Sequence, residues 1–247
     1  MALNEPVPTN DGLDDVTYWV TATTLFMISA LHLRRVAFPS CFCRFCNGEK
    51  LLYMNFTDAW RHDETTETLW TTPETDVAIL APHAGDIEFN TEFAAGQLHK
   101  LLRKEGYQPT TWMYHGFGEN AFDEYHVSSN YLEFTQFNEL SRLQDRRFRF
   151  GISFHIHEEG YVGVGGRIDE AVRSEVADRL TERLPNSKEV RYRHGEMKNK
   201  GRKESNIVNR ITESGDDGLQ IEMTPKTSYN YWKRVARSVR DVYVGLL

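Results

Sequence analysis

A histidine and two carboxylates follow one apolar run of the chain at close spacing. The run Val77–Ala81 is followed by Pro82 and then by His83, Asp86 and Glu88. Imidazole and carboxylate groups are zinc ligands, and a catalytic zinc ion commonly takes three protein ligands and leaves its fourth position to water. This segment therefore offers His83 and either Asp86 or Glu88 as two ligands of a hydrolytic metal site.

Two further segments could supply the remaining groups of such a site. Because Phe154 belongs to the apolar face of a predicted strand, His155 and His157 point the other way, and either could be the third ligand. Glu222 lies between the apolar residues of another predicted strand, 219–223. A carboxylate at this position contributes little to packing, but it could act as a general base. The three segments together predict hydrolysis by a metal-activated water molecule.

The chain that connects these segments alternates predicted strands and helices. Short apolar or alternating runs predict strands, which lie at residues 77–81, 111–114, 148–154, 161–164 and 219–223. Apolar residues three or four apart predict helices, which lie at residues 90–106, 134–140, 168–180 and 232–242. We expect Asn90 to cap the first helix and Pro82 to end the first strand. The pattern predicts an α/β fold: a mostly parallel or mixed sheet flanked by helices on both faces, with its site at the carboxyl ends of the strands.

The N-terminal part of the chain differs from the rest in composition. A polar, acidic start predicts a disordered lead-in, and the uncharged run Val16–Leu33 is too rich in threonine to predict a membrane span. Cys41, Cys43 and Cys46 lack a fourth ligand at a standard spacing, so we interpret them as unrelated reduced thiols. We expect residues 1–53 to form an N-terminal extension, disordered or weakly hydrophobic, and residues 54–247 to form one zinc-dependent hydrolase domain.

The charge balance limits the partners that the chain can have. Its 36 acidic and 29 basic side chains give a formal net charge of −7, which argues against a general nucleic-acid binder. One segment departs from this balance, because seven lysines and arginines stand against three glutamates between Lys188 and Glu204. Such a patch can steer a polyanion toward a cleft, or it can simply be a solvated loop.

Taken in chain order, these segments resemble the phage-type poly-γ-glutamate hydrolases, a family whose fold is similar to that of the zinc carboxypeptidases (phosphorylase/hydrolase-like). Members of the family share six short patterns, A-P-H-G-G-x-I-E, L-H-I-T-S, S-I-H, V-G-G, N-I-x-N-R and Q-L-E-L. This chain has similar segments in the same order at Ala81–Glu88, Tyr125–Ser129, Ser153–His155, Val164–Gly166, Asn206–Arg210 and Gln220–Met223. It departs from the first pattern at Ala84, which replaces a glycine.

The resemblance implies a zinc-dependent hydrolase that cleaves γ-glutamyl amide bonds of poly-γ-glutamate, a polyanionic substrate. It implies one Zn²⁺ per chain, held by His83, Glu88 and His155, with Glu222 as the general base. No nucleic acid and no membrane is implied as a partner.

The resemblance also implies roles in substrate binding. Arg210 corresponds to the arginine that holds a substrate carboxylate or polarises the scissile carbonyl, and its planar fork of donors suits either role. Asn209 and His126 are implied as further substrate contacts.

Three other functions fit part of the sequence. A zinc deacylase of the A-P-H-P-D-D-E type shares Ala81–His83 and Asp86, but Ala84 and Gly85 stand where its Pro–Asp base would be. An N-formylglutamate-type amidohydrolase shares a histidine at a strand end and a downstream glutamate. The non-enzymatic alternative is a domain that binds a polyanion without turnover. Product analysis distinguishes the enzymes. The deacylase or amidohydrolase would release acetate or formate, and the poly-γ-glutamate hydrolase would release glutamate oligomers.

Overall fold

A mixed β-sheet is the centre of the computed structural model, which describes residues 52–53, 59, 61–62, 64–73, 75–186 and 188–247. Within these ranges the sheet has eight strands: β1 Leu52–Tyr53, β2 Thr65–Trp70, β3 Val77–Gly85, β4 Thr110–Gly116, β5 Phe150–Ile156, β6 Tyr161–Gly166, β7 Glu189–Arg191 and β8 Gly218–Met223. Their order is β1-β2-β4-β3-β5-β8-β6-β7. Neighbours run parallel except for β2 with β4 and β6 with β8.

Helices cover both faces of the sheet, and their bounds are α1 Thr91–Lys104, α2 Ala121–Tyr125, α3 Asn138–Ser141, α4 Glu170–Arg183, α5 Ile207–Arg210 and α6 Pro225–Tyr243. One core lies between the sheet and α1, α4 and α6, where Leu98, Leu180 and Val239 are fully buried. The other core lies under α2, α3 and α5 around Trp112 and Ile207. The predicted α/β class, with a mixed sheet between helices, is confirmed.

The central strand β3 is longer than its apolar run predicts. All nine of its residues are buried, and it continues past Pro82 to Gly85. Its pairing with β4 shifts register between Ala81 and Ala84. Because proline has no N–H to donate to a ladder, the strand bulges at Pro82 and then continues. The prediction that Pro82 ends the strand was therefore wrong, and the bulge leaves His83 inside the sheet at its carboxyl edge.

Other local predictions differ from the structure for identifiable reasons. The helix predicted over 134–140 is a 3₁₀ turn, Phe134–Gln136, followed by the short α3, because Phe137 between them is extended. Asn90 does not cap α1 with its side chain; it has a φ of 67° and donates to the Ser228 carbonyl.

The sheet begins at β1, inside the segment expected to lie outside the fold, and this strand pairs with β2. The run 16–33 and the three cysteines lie outside the described residues. Within the ranges given above, no helix combines the length and apolar character that crossing a membrane requires.

The carboxyl end of β6 packs tightly against β8. Gly166, the last residue of β6, pairs with Leu219, and its N–H donates to the Lys200 carbonyl at 2.8 Å. A Cβ at position 166 would overlap the carbonyl oxygen of Gly218. This close approach draws the loop that contains Lys200 onto the edge of the sheet.

Replacing Gly166 with alanine should destabilise the fold more than replacing Gly106. Both glycines have a positive φ, 100° and 94°, so each substitution carries backbone strain of about 1–2 kcal/mol. Only at Gly166 does the new Cβ also meet backbone atoms, since nothing lies within 4 Å of the corresponding position at Gly106. Urea denaturation should give a clearly larger loss for Gly166→Ala. Equal losses would mean that the packing of β6 on β8 relaxes without cost.

Candidate metal centre

His83 lies at the carboxyl edge of the sheet and is 3% exposed. Its Nε2–H donates to the Val127 carbonyl at 2.8 Å, which leaves Nδ1 directed into the site. That Nδ1 lies 2.9 Å from Oε1 of Glu88 and 3.2 Å from Nδ1 of His155. A histidine that ligates a metal commonly donates its other ring N–H to a backbone carbonyl, which fixes the orientation of the ring. His83 has this arrangement.

Glu88 reaches the same point from the loop between β3 and α1. Its backbone N–H donates to the His83 carbonyl at 2.8 Å, and its own carbonyl accepts from the Thr91 hydroxyl at 2.8 Å. The second carboxylate oxygen, Oε2, accepts from the Ile156 N–H at 2.9 Å. The loop is therefore tied to both β3 and β5, and it holds a carboxylate that is 6% exposed.

His155 and Glu222 occupy paired positions on the parallel strands β5 and β8. His155 Nδ1 lies 3.5 Å from Oε2 of Glu88, so the two histidines and the carboxylate converge. Glu222 is 4% exposed, and its Oε1 accepts from the Gln220 side chain at 2.6 Å. Because Gln220 and Glu222 are two apart on one strand, their side chains share a face. The three sheet segments singled out from the sequence thus meet at one edge.

Burial and mutual contact shift the pKa values of these groups strongly. Burial alone would raise the pKa of Glu88, but His83 and His155 outweigh it and hold that pKa well below the usual range. For His83, burial lowers the pKa, while the Glu88 carboxylate and the hydrogen bonds raise it by more. Burial and the nearby Glu88 carboxylate raise the pKa of Glu222 well above its usual value. A bound cation would stabilise both carboxylates in their charged form.

The donor set fits a divalent metal ion such as zinc. Two imidazole nitrogens and a carboxylate oxygen are standard zinc ligands. The Val127 carbonyl orients the ring of His83, and the Ile156 N–H orients the carboxylate of Glu88. The ligand atoms of His83, Glu88 and His126 also lie within 4.8 Å of one another. His126 is 28% exposed, and its Nε2 lies 3.7 Å from Glu88 Oε1. The structure thus offers two neighbours, His155 and His126, for the third position.

The two alternatives that the sequence left open, Asp86 and His157, form other contacts, although His157 also lines the cleft. Asp86 is exposed, and its Oδ2 accepts from the Gly118 N–H at 3.0 Å. His157 donates from Nε2 to the Tyr161 carbonyl at 2.7 Å, and its ring packs edge-on against Tyr161. Neither takes part in the contacts that join His83, Glu88 and His155.

Arg210 does not occupy the position that the motif implies. Its guanidinium donates to Glu133 at 3.0 Å and to the Leu132 carbonyl, and it packs near the Phe134 ring. Arg210 is not among the residues that line the cleft. The substrate-binding role of Arg210 stays a prediction; in this structure its side chain holds residues 132–134.

Asn209 holds the backbone of a neighbouring loop. It is fully buried, and its side-chain amide donates to the backbone carbonyls of Gly201 at 2.7 Å and Lys203 at 2.8 Å. The predicted substrate contact of Asn209 stays a prediction, and in this structure Asn209 holds the loop that forms one wall of the cleft.

The histidines and Glu222 open into a cleft of about 1180 Å³. The basic loop, residues 198–203, lines one part of it, and the exposed rings of Phe89 and Phe122 line another. His126 also lines the cleft and stacks on Phe122 with ring centroids 4.6 Å apart.

Sequence reasoning missed some of the residues that orient this site. The Val127 carbonyl that receives the His83 N–H leaves no mark in the sequence, since any residue supplies a carbonyl. Gln220 did leave a signal, because a polar residue two positions before Glu222 shares its face of the strand.

Comparison with known proteins identifies the family. The family model described as poly-gamma-glutamate hydrolase matches residues 53–242. The chain belongs to the poly-γ-glutamate hydrolase family. The resemblance drawn from the short motifs is thereby confirmed, and the chain is a hydrolase by family. No protein of curated function gives a significant match.

Two solved structures with TM-scores above 0.5 show the same fold. A bacteriophage poly-γ-glutamate hydrolase has 18% identity and a TM-score of 0.55, covering 73% of this chain and 91% of that one. A zinc-free structure named YNDL has 20% identity and a TM-score of 0.53, covering 78% of this chain and 95% of its own. A metallo-carboxypeptidase from Pseudomonas aeruginosa has 15% identity and a TM-score of 0.43, covering 74% of this chain and 59% of that one.

Asn209→Ala should lower the free energy of unfolding by about 1–3 kcal/mol, because two part-buried hydrogen bonds to the loop backbone would be lost. The matched control is Asn230→Ala, which removes a single exposed hydrogen bond to the Lys226 carbonyl. Urea denaturation of both variants measures the difference. A loss at Asn209 no larger than at Asn230 would mean that the loop does not depend on this side chain.

Proposed function

We propose that this chain is a zinc-dependent hydrolase that cleaves the γ-glutamyl amide bonds of poly-γ-glutamate. The observation that carries the proposal is the convergence of His83, Glu88 and His155 beside Glu222 in one cleft. Membership of the poly-γ-glutamate hydrolase family supports the substrate class. The solved bacteriophage enzyme with the same fold carries that substrate in its name.

The metal ligands in this proposal are His83, Glu88 and His155. His155 is favoured over His126 because it is 4% exposed, sits on a strand and lies within 3.5 Å of both other ligands. His126 is partly exposed on the cleft side, which suits a group that contacts substrate. When bound, zinc supplies a Lewis acid that lowers the pKa of water to about 7 and polarises a carbonyl.

Glu222 acts as the general base of the reaction. Its carboxylate takes a proton from the attacking water and delivers it to the nitrogen of the leaving amine. The hydrogen bond from Gln220 fixes one carboxylate oxygen, so the other oxygen is available to the water.

His126 is neutral at pH 7, because burial and the nearby His83 lower its pKa to about 4. A neutral imidazole at the cleft wall can donate to the substrate carbonyl or accept from its amide.

The direct test is incubation of the full chain with poly-γ-glutamate, followed by polymer sizing and product analysis. We expect shortened polymer and glutamate oligomers, loss of activity with a chelator and recovery with zinc. An intact polymer would refute the proposed substrate. Release of formate or acetate from N-acyl substrates instead would move the chain to the amidohydrolase or deacylase class.

His83→Ala and His155→Ala should each lose the zinc ion, because a catalytic site with two protein ligands binds it far more weakly. Elemental analysis of dialysed protein measures the zinc content per chain. His157→Ala is the matched control, since His157 is equally buried but bonded to Tyr161, and it should keep its zinc. Loss of zinc in His126→Ala together with its retention in His155→Ala would replace His155 by His126 as the third ligand.

Glu222→Gln should retain zinc and lose at least about a hundredfold in turnover, the usual scale of general acid–base catalysis. The amide keeps the size of the side chain but cannot take a proton. Glu158→Gln, which alters a carboxylate elsewhere on the cleft wall, is the control and should stay near the wild-type rate. A Glu222→Gln variant with unchanged turnover would remove this residue from the mechanism.

A further inference from the structure

The basic loop, residues 198–203, presents several cations to the cleft. Lys200, Arg202 and Lys203 all line the cleft. Within the part of the chain that the structure describes, no carboxylate forms an ion pair with any of the three. Lys198 differs from them, because its Nζ lies 2.9 Å from Glu159 and is already neutralised. Three cations that pair with no described carboxylate are unexpected in a chain whose formal net charge is −7.

The backbone of the loop is held at several points. The Tyr161 hydroxyl accepts from the Lys198 N–H at 2.8 Å, and the Lys200 carbonyl accepts from the Gly166 N–H at 2.8 Å. The Asn209 side chain binds the next part of the loop through the carbonyls of Gly201 and Lys203. The cations therefore project from a fixed support, which lowers the ordering cost of binding an anion.

The position of the loop relates these cations to the reacting groups. The Asn206 side chain donates to Gln220 at 2.9 Å, and Gln220 in turn donates to Glu222. Asn206 lies three residues after the end of the loop and also lines the cleft. The cationic wall thus adjoins the general base, and an extended substrate bound at Glu222 would pass along it. Arg210, which the motif implied for this role, is bonded to Glu133 outside the cleft.

We propose that Lys200, Arg202 and Lys203 form a subsite that binds the carboxylates of units beside the scissile bond. This rests on the proposed function, because each unit of a γ-glutamyl polymer carries a free α-carboxylate. Lysine ammonium groups and the arginine fork are suited to such groups. A small neutral acyl substrate would have no use for three cations in a row, so the loop selects for a polyanionic chain.

The test compares two variants that remove the same charge from different places. The loop variant is Lys200→Gln/Arg202→Gln/Lys203→Gln. The control is Lys100→Gln/Lys104→Gln/Lys233→Gln, which alters exposed lysines of α1 and α6 outside the cleft. Circular dichroism and thermal melting check that both variants fold. Because the net charge is equal, any difference between them reports local contacts rather than the overall field.

Two measurements are made on each variant. The first is binding of poly-γ-glutamate to protein that also carries Glu222→Gln, by fluorescence anisotropy of labelled polymer. The loop variant should bind about tenfold more weakly, the effect of three partly exposed ion pairs, and the control should bind like the parent. The second is hydrolysis, where KM should rise by a similar factor while kcat changes little. The dependence of KM on salt should also be smaller in the loop variant.

The outcomes separate this inference from the proposed function. Equal polymer binding by the loop variant and the control overturns the subsite, whatever the catalytic result. A fall in kcat with unchanged KM also overturns it, because the loop would then act on the reaction rather than on binding. If the parent chain hydrolyses no poly-γ-glutamate yet loses polymer affinity in the loop variant, the proposed reaction fails while the polyanion subsite stands.

Discussion

The burial of two carboxylates and two imidazoles at one edge of the sheet is the constraint on which the rest of the structure depends. Glu88 and Glu222 are both nearly inaccessible to water, and each raises the cost of charging the other. His83 and His155 offset part of that cost through direct contact with Glu88. A divalent cation among these groups would offset the remainder and would join the three strands that supply them.

Much of the surrounding fold serves to hold these groups in place. The bulge at Pro82 lets β3 continue far enough to bring His83 to the edge of the sheet. The loop after β3 is tied to β5 through Glu88, and the register of β5 with β8 brings His155 beside Glu222. On the other side, the close packing at Gly166 and the amide of Asn209 fix the basic loop. The cleft is therefore built from rigid elements on at least two sides.

The sequence predicted the central part of the fold well, because β3 begins as a continuous apolar run and apolar residues alternate along β5 and β8. It did not predict β2, whose Thr-Thr-Glu-Thr pattern has none of the apolar alternation that marks a strand. Its pairing with β4 and the burial of its first residues, rather than its composition, make it a strand. Short helices such as α3 are set by packing and are equally hard to predict.

A sequence motif indicates side-chain direction better for the proposed metal ligands than for the proposed substrate contacts. His83, Glu88 and His155 lie on or next to regular strands, so their direction follows from the alternation of side chains. Arg210 and Asn209 lie at the end of a four-residue helix, where a shift of one residue turns the side chain elsewhere. A match of residue types in such a short helix does not show where the side chains point. Arg210 is not among the residues that line the cleft. The cations that do line the cleft come from an irregular loop that no periodicity marks.

The central claim is that the buried cluster of Glu88 with its histidines is a cation site. Thermal unfolding of metal-free protein over a series of zinc concentrations tests it most directly, because an ion that binds only the native state raises Tm with its concentration. We expect Tm to rise steadily with zinc in the wild-type chain and to stay unchanged in Glu88→Gln, which keeps the shape of the side chain and removes its charge. A wild-type Tm that does not respond to zinc, or an equal rise in Glu88→Gln, would contradict the account.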